Sequence, residues 1–216
     1  MLMKHLIGRL GLGAVICLAG LPAALAQLTL PQQEPIIGAR MPALSPDGRQ
    51  VAFVYRGDIW LSSERGGRAV PLTQHVETDT SPLFSPDGRW LSYTSNVSGR
   101  FEVYVQRFPE GTDRAQVSPG GGGSARWRRD GRELFYLALD GTLMAVPTTG
   151  TGQSIEFRAP VPLFKFFSSQ RGLPVQKPQY DVSTDGQRFI VSAVSRRNDP
   201  SIQVVLNWPA LLEKKP

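Results

Sequence analysis

The sequence predicts an all-β chain assembled from a repeated unit of four short strands, and three observations carry that prediction. The phrase "LSPDGRQVAF" (Leu44–Phe53) returns as "FSPDGRWLSY" (Phe84–Tyr93). Two looser copies follow, "ARWRRDGRELFYLALDG" from Ala125 and "YDVSTDGQRFIVSAV" from Tyr180. Their Asp-Gly pairs, at 47–48, 87–88, 130–131 and 185–186, are spaced by about 40, 43 and 55 residues, the period of propeller blades. Finally, Gly 22 and Pro 18 among 216 residues favour turns, and no long amphipathic helix interrupts the pattern. A β-sandwich with chance likeness in its turns is the competing reading. The matches extend well past the turns, which favours the propeller.

The first 26 residues stand apart from this repeat. Lys4 and Arg9 precede an apolar run from Leu10 to Leu21, then Pro22 and the small-x-small triplet Ala24-Leu25-Ala26. This reads as a secretory signal peptide, because the apolar run is short of the ~20 residues that span a bilayer. Cleavage there would remove Cys17, the one cysteine, and lower the formal charge from +6 to +4. The expected location is periplasmic or secreted, with no membrane span after cleavage. Residues 27–35, "QLTLPQQEP", read as an extended leader, residues 36–212 as the propeller, and residues 213–216 as a polar tail.

Within a unit, Ser-Pro-Asp-Gly is a tight turn. Pro46 presets φ at its first central position, Asp47 suits the second, and Gly48 supplies the positive φ that follows. Each turn leads into a strand-like run: "QVAFVY", "WLSYTS", "ELFYLA" and "RFIVSAV". A polar break and another strand come next: "GDIWLSS", "FEVYVQRF", "GTLMAVP" and "SIQVVLNW". "AVPLTQ", "RAQVSP" and "APVPLFKFF" supply an outer strand to the first three units. The predicted architecture is a β-propeller of about four four-stranded blades, either incomplete or closed by the N-terminal segment, where rings usually hold ~4–8 blades. An incomplete ring would pair with a second copy of the chain. "PGGGGS" (Pro119–Ser124) reads as an inter-blade loop, since no Gly-Lys-Ser/Thr follows to make it a phosphate loop.

The first two units resemble the TolB-like propeller repeat, and "IIGARMPALSPDGRQVAFVYRGDIW" with "LTQHVETDTSPLFSPDGRWLSY" is similar to the N-terminal propeller of tricorn-like peptidases. "WRRDGRELFYLALDGTLMAVP" and "YDVSTDGQRF" look more like propellers attached to bacterial serine/threonine kinases. In such relatives the propeller gates, senses or docks while chemistry sits elsewhere, and the resemblance implies that role here.

The residues themselves point the same way. Apart from His5 there is one histidine, His75, and no Gly-x-Ser-x-Gly, so nothing marks a hydrolase nucleophile and its base. His75, Glu77 and Asp79 alternate in a predicted loop and could in principle hold a metal. A lone histidine with two carboxylates is more simply a polar turn, so neither metal nor cofactor is expected. No carboxylate pair is singled out for glycosidase chemistry. The densest basic run, "RWRRDGR" (Arg126–Arg132), reads as a solvated face, and no nucleic-acid partner is expected.

Loops after the second strand and between blades share one face of a propeller. The candidate binding residues are therefore Arg56, Asp58, His75, Glu77, Asp79, Asn96, Arg100, Arg196, Arg197 and Asp199, polar and of mixed charge. The expected function is non-catalytic binding of a protein or peptide in the cell envelope. The alternative is a gating or regulatory piece of a tricorn-like peptidase.

Overall fold

The repeated turn forms by local chemistry. Gly48 N–H donates to the Ser45 carbonyl at 2.9 Å with Gly48 at φ 72°, a conformation glycine adopts without a Cβ penalty. Ser45 Oγ donates to Asp47 Oδ1 at 2.6 Å and accepts from Gln50 N–H at 2.9 Å, while Arg49 N–H donates to the same Asp47 oxygen at 3.1 Å. Those bonds, led by the Ser45 hydroxyl, hold the Asp47 carboxyl below its usual range. Ser85 and Asp87 repeat the arrangement at 2.6 Å, and Ser183 bonds Asp185 in the fourth unit. Only the third unit departs. Arg128 replaces the serine there and bonds Glu133 Oε2 at 3.0 Å, yet Asp130 Oδ1 still accepts from Arg132 N–H at 3.1 Å.

The structure is a computed structural model that describes residues 36–150, 153–166 and 179–192, and the backbone of 203–205. All described residues belong to one compact unit within residues 33–216. The expected signal peptide and leader lie outside the described residues.

Among the described residues there are four antiparallel sheets. The first has β1 (Arg40–Leu44), β2 (Gln50–Tyr55), β3 (Asp58–Ser63) and β4 (Val70–Pro71) in sequential order. The second has β5 (Asp79–Phe84), β6 (Trp90–Ser95), β7 (Glu102–Arg107) and β8 (Ala115–Gln116), ordered the same way. The third has β9 (Gly122–Trp127), β10 (Glu133–Ala138) and β11 (Thr142–Thr149), whose outer edge carries both β12 (Glu156–Phe157) and β13 (Val161–Lys165). The fourth has β14 (Tyr180–Val182), β15 (Phe189–Val191) and β16 (Gln203–Val205). This is the expected β-propeller, with no outer strand in the fourth sheet among the described residues.

One expectation needs correcting. The glycine run is only partly a loop, because Gly122, Gly123 and Ser124 begin β9. Gly122 sits there for lack of room: a Cβ would lie 2.7 and 2.9 Å from ring atoms of Tyr136. A second feature recurs without a sequence signature. The first strands of the first three blades each break register once, and Met41, Ser81 and Ser124 take φ of 52°, 55° and 56° in those breaks. A bulge of this kind bends the strand and re-aims the residues at its start.

The core lies between blades, where alternation along each strand feeds two interfaces. On β6, Leu91 and Tyr93 join Ala52, Ile59 and Leu61 of the first blade, whereas Trp90 joins Trp127, Leu134 and Tyr136 of the third. Every residue of β6 is therefore buried, while only Ala52 and Phe53 are buried on β2. Phe135 and Leu137 carry the alternation on to Tyr180, Phe189 and Val191 of the fourth blade.

Candidate functional site

The strand ends opposite the Asp-Gly turns collect the β2–β3 and β6–β7 turns and the crossings between blades. Asp79 N–H donates to the Gly57 carbonyl at 2.7 Å, which ties the start of β5 to the β2–β3 turn. Asn96 Oδ1 accepts from Thr78 N–H at 2.6 Å and holds the β4–β5 crossing from the other side. Thr73 Oγ1 accepts from Ile59 N–H at 2.9 Å, and His75 N–H approaches Asp58 Oδ1 at 3.4 Å. The crossing is thereby fixed at four points.

That frame brings an imidazole among carboxylates. His75 Nε2 lies 3.1 Å from Asp79 Oδ2, and Nδ1 lies 3.4 Å from Glu77 Oε2. Ligand atoms of Asp58, His75 and Asp79 all fall within 4.8 Å of one another. The Asp79 side chain is 0% exposed and His75 23%. Burial drives the Asp79 carboxyl above its usual range. The Ser95 and Thr73 hydroxyls and the His75 ring pull the other way, although neither Asp79 oxygen receives a hydrogen bond of ordinary geometry. Tyr93, behind the cluster, is pushed up to about 12 by burial and then by the Asp79 charge.

The β8–β9 crossing builds on the same plan and ends differently. Ser118 stands where Thr73 stands, its Oγ accepting from Val103 N–H at 2.7 Å. Glu102 opens β7 as Asp58 opens β3, and its carboxylate is fully engaged. It accepts from Ser118 Oγ at 3.0 Å, Gly121 N–H at 3.2 Å and Arg100 Nε at 2.7 Å. Arg100 also donates to the Pro119 carbonyl at 3.1 Å. Gly122 occupies the place of Asp79, its N–H bonded to the Phe101 carbonyl at 2.9 Å.

Of the candidate residues, the structure gathers Asp58, His75, Glu77, Asp79 and Asn96 at the first crossing. Arg56 lies beside them on the β2–β3 turn, exposed, its guanidinium 5.2 Å from the centre of the Tyr55 ring. Arg100 belongs to the second crossing. Arg196, Arg197 and Asp199 lie outside the described residues. Asp79 was expected in a loop, but it is the first residue of β5 and wholly buried. Thr73, Ser95, Glu102 and Ser118 were not among the candidates. Aligning "LTQ" with "VSP" would have found Thr73 and Ser118, because a hydroxyl follows an apolar residue at the same place in both repeats.

At the opposite, turn-bearing end, a cleft of about 610 Å³ opens between the second and third blades. Asp87, Trp90, Trp127, Arg129, Asp130 and Arg132 are among the residues that line it. The basic run feeding this region is interleaved with carboxylates. Arg128 pairs with Asp130 at 3.2 Å and with Glu133 at 3.0 Å, and Arg126 lies 3.8 Å from Asp181.

No family model matches the chain. The uncharacterized peptidase YuxL of Bacillus subtilis is 27% identical over 135 residues, covering 57% of this chain and 19% of that protein. The putative tricorn protease homolog 2 of Streptomyces coelicolor is 49% identical over 83 residues, covering 38% of this chain and 7% of its own length. The chain thus matches less than a fifth of the length of either relative. Among solved structures, TolB from Acinetobacter baumannii superposes with a TM-score of 0.59 at 16% identity, over 78% of this chain and 40% of that one. These relatives do not bear on the likeness of the second half to kinase-attached propellers. The sheets, their order and the TolB superposition together make this chain a β-propeller of TolB-like fold.

Proposed function

We propose that this chain is a non-catalytic propeller that binds a protein or peptide in the cell envelope through its crossing end. The observation that supports this is the gathering of Arg56, Asp58, His75, Glu77 and Asn96 on rigid strand ends and short crossings. Polar groups of both signs held by a stiff frame lose little freedom when a partner docks. Both ring nitrogens of His75 face carboxylates, which supports a binding role over acid–base chemistry at this end.

Affinity capture from envelope extract tests the reading, with the parent chain set against Arg56→Glu combined with Ser98→Glu, two exposed positions at the crossing end. Loss of one reproducible partner in the double variant is the expected result. Loss only on Arg129→Glu with Arg132→Glu would move the interface to the cleft at the turn-bearing end. The tricorn-homologue match at 49% identity favours a second reading, that the propeller gates or regulates a peptidase. A peptidase as the one captured partner would select it.

A further inference from the structure

We propose that Asp58, His75 and Asp79 form a zinc site that staples the first blade to the second. Each comes from a different segment: Asp58 begins β3, His75 lies in the β4–β5 crossing, and Asp79 begins β5. Their ligand atoms lie within 4.8 Å of one another, and His75 Nε2 and Asp79 Oδ2 are 3.1 Å apart. Ligands on a tetrahedral zinc with bonds of about 2.1 Å stand about 3.4 Å apart, so small side-chain adjustments complete the set. The fourth position falls to a water.

An independent feature points to a ligand. Asp79 is completely buried, and neither of its oxygens receives a hydrogen bond of ordinary geometry, so the His75 ring at 3.1 Å and the nearby Ser95 and Thr73 hydroxyls leave a buried carboxylate short of full satisfaction. The other crossing shows what a purely structural solution looks like, because Glu102 there is satisfied by Ser118, Gly121 and Arg100. At the first crossing no arginine among the described residues plays that part. Two carboxylates face one imidazole, an arrangement a divalent cation neutralises. Glu77 completes the pattern. Its Oε2 is 3.4 Å from His75 Nδ1, so it can receive the second ring N–H while Nε2 faces the ion, the usual means by which a carboxylate orients a zinc-bound histidine. Donor type and number favour zinc over calcium or magnesium. Calcium collects six to eight oxygens and magnesium keeps its waters, whereas zinc accepts a small mixed set of nitrogen and oxygen ligands. The proposal does not depend on the identity of any protein partner.

The test uses the full chain, stripped with a chelator and titrated with zinc chloride by calorimetry and thermal melting. The expected result is one saturable zinc per chain with a raised Tm. Asp79→Asn should lose both. Glu77→Gln should retain binding weakened by about 10–100-fold. Asp87→Asn, in a turn at the far end, should match the parent. If a variant fails to fold, nitrogen-15 spectra of the parent give the same answer, because His75 is one of two histidines in the chain and its Nε2 signal must shift on zinc addition. Absence of saturable zinc, binding that survives Asp79→Asn, or an equal response to calcium would overturn the proposal.

Discussion

The two inter-blade crossings are the same device used in two ways. In both, a hydroxyl after the outer strand accepts a backbone N–H, from Ile59 to Thr73 and from Val103 to Ser118. In both, a carboxylate opens the third strand of the blade, Asp58 or Glu102, and a buried tyrosine, Tyr93 or Tyr136, stands beside a carboxylate of the crossing. The tyrosines are even perturbed alike, pushed up to about 12 first by burial and then by the neighbouring carboxylate, Asp79 for one and Glu102 for the other. What differs is satisfaction. The second crossing closes around Glu102 and leaves no room at Gly122. The first is two residues longer between its hydroxyl and its next strand, and uses them to bring in His75 and Glu77 beside a buried aspartate. A closed knot serves stability. The first crossing leaves a buried carboxylate facing an imidazole.

The largest effect expected from breaking this comparison is at Glu102. Glu102→Ala strands the Ser118 hydroxyl, the Gly121 N–H and Arg100 together, and should cost about 3 kcal/mol in chemical denaturation, as loss of one partner of a buried charged network does. A change below about 1 kcal/mol would show that the knot is ornamental. Gly122→Ala comes next, at about 1–3 kcal/mol, because its methyl meets Tyr136 in a filled interface. Parent-like stability there would mean that the two crossings are interchangeable. Asp58→Ala, the counterpart of Glu102→Ala, should cost only about 1 kcal/mol in chelator, since the hydrogen bond its carboxylate accepts among the described residues, from His75 N–H, is long at 3.4 Å. Asp79→Asn in chelator should lie within about 1 kcal/mol of the parent, because the neutral amide relieves a carboxylate whose ionisation burial opposes. A loss of several kcal/mol would show instead that the Asp79–His75 pair holds the crossing together without an ion.

The smallest effect is one of pH, in the β10–β11 turn. Lys165 Nζ bonds Asp140 Oδ2 at 2.9 Å, and with the Thr142 N–H and hydroxyl it holds the Asp140 carboxyl down to about 2. A depressed carboxylate stabilises the fold above its unfolded value of about 3.9, and that contribution fades as pH falls towards about 2. The pair is exposed, so the effect is modest. Melting of Asp140→Asn should show a shallower acid slope than the parent over that window, and equal slopes would remove the pair from the account.

The parts of the fold legible in the sequence were those made by neighbouring residues. Ser45, Pro46, Asp47 and Gly48 close their turn among themselves, so the phrase can be read wherever it recurs, even where Arg128 has displaced the serine. The outer strands Val70–Pro71, Ala115–Gln116 and Val161–Lys165 were legible as apolar runs after their units, whereas Glu156–Phe157, which also pairs with β11, was not. The bulges at Met41, Ser81 and Ser124 were not, since a methionine and two serines carry no local preference for positive φ and only the pairing of adjacent strands imposes it. The candidate site was half legible. Its polar loop residues stood out, but Asp79 read as one more of them.

By itself, then, the sequence determined the unit and its count: four Asp-Gly turns, the strands that follow them, and hence a propeller of TolB-like type. These follow from backbone preferences and alternation, which act within a few residues. The tertiary structure alone decided which polar residues are buried and which are satisfied. Glu102 and Ser118 meet across 16 residues, and Asp58 and His75 across 17. Whether a carboxylate at the head of a strand is solvated, knotted or left facing an imidazole depends on how the next blade stacks on it, and no short-range signal encodes that.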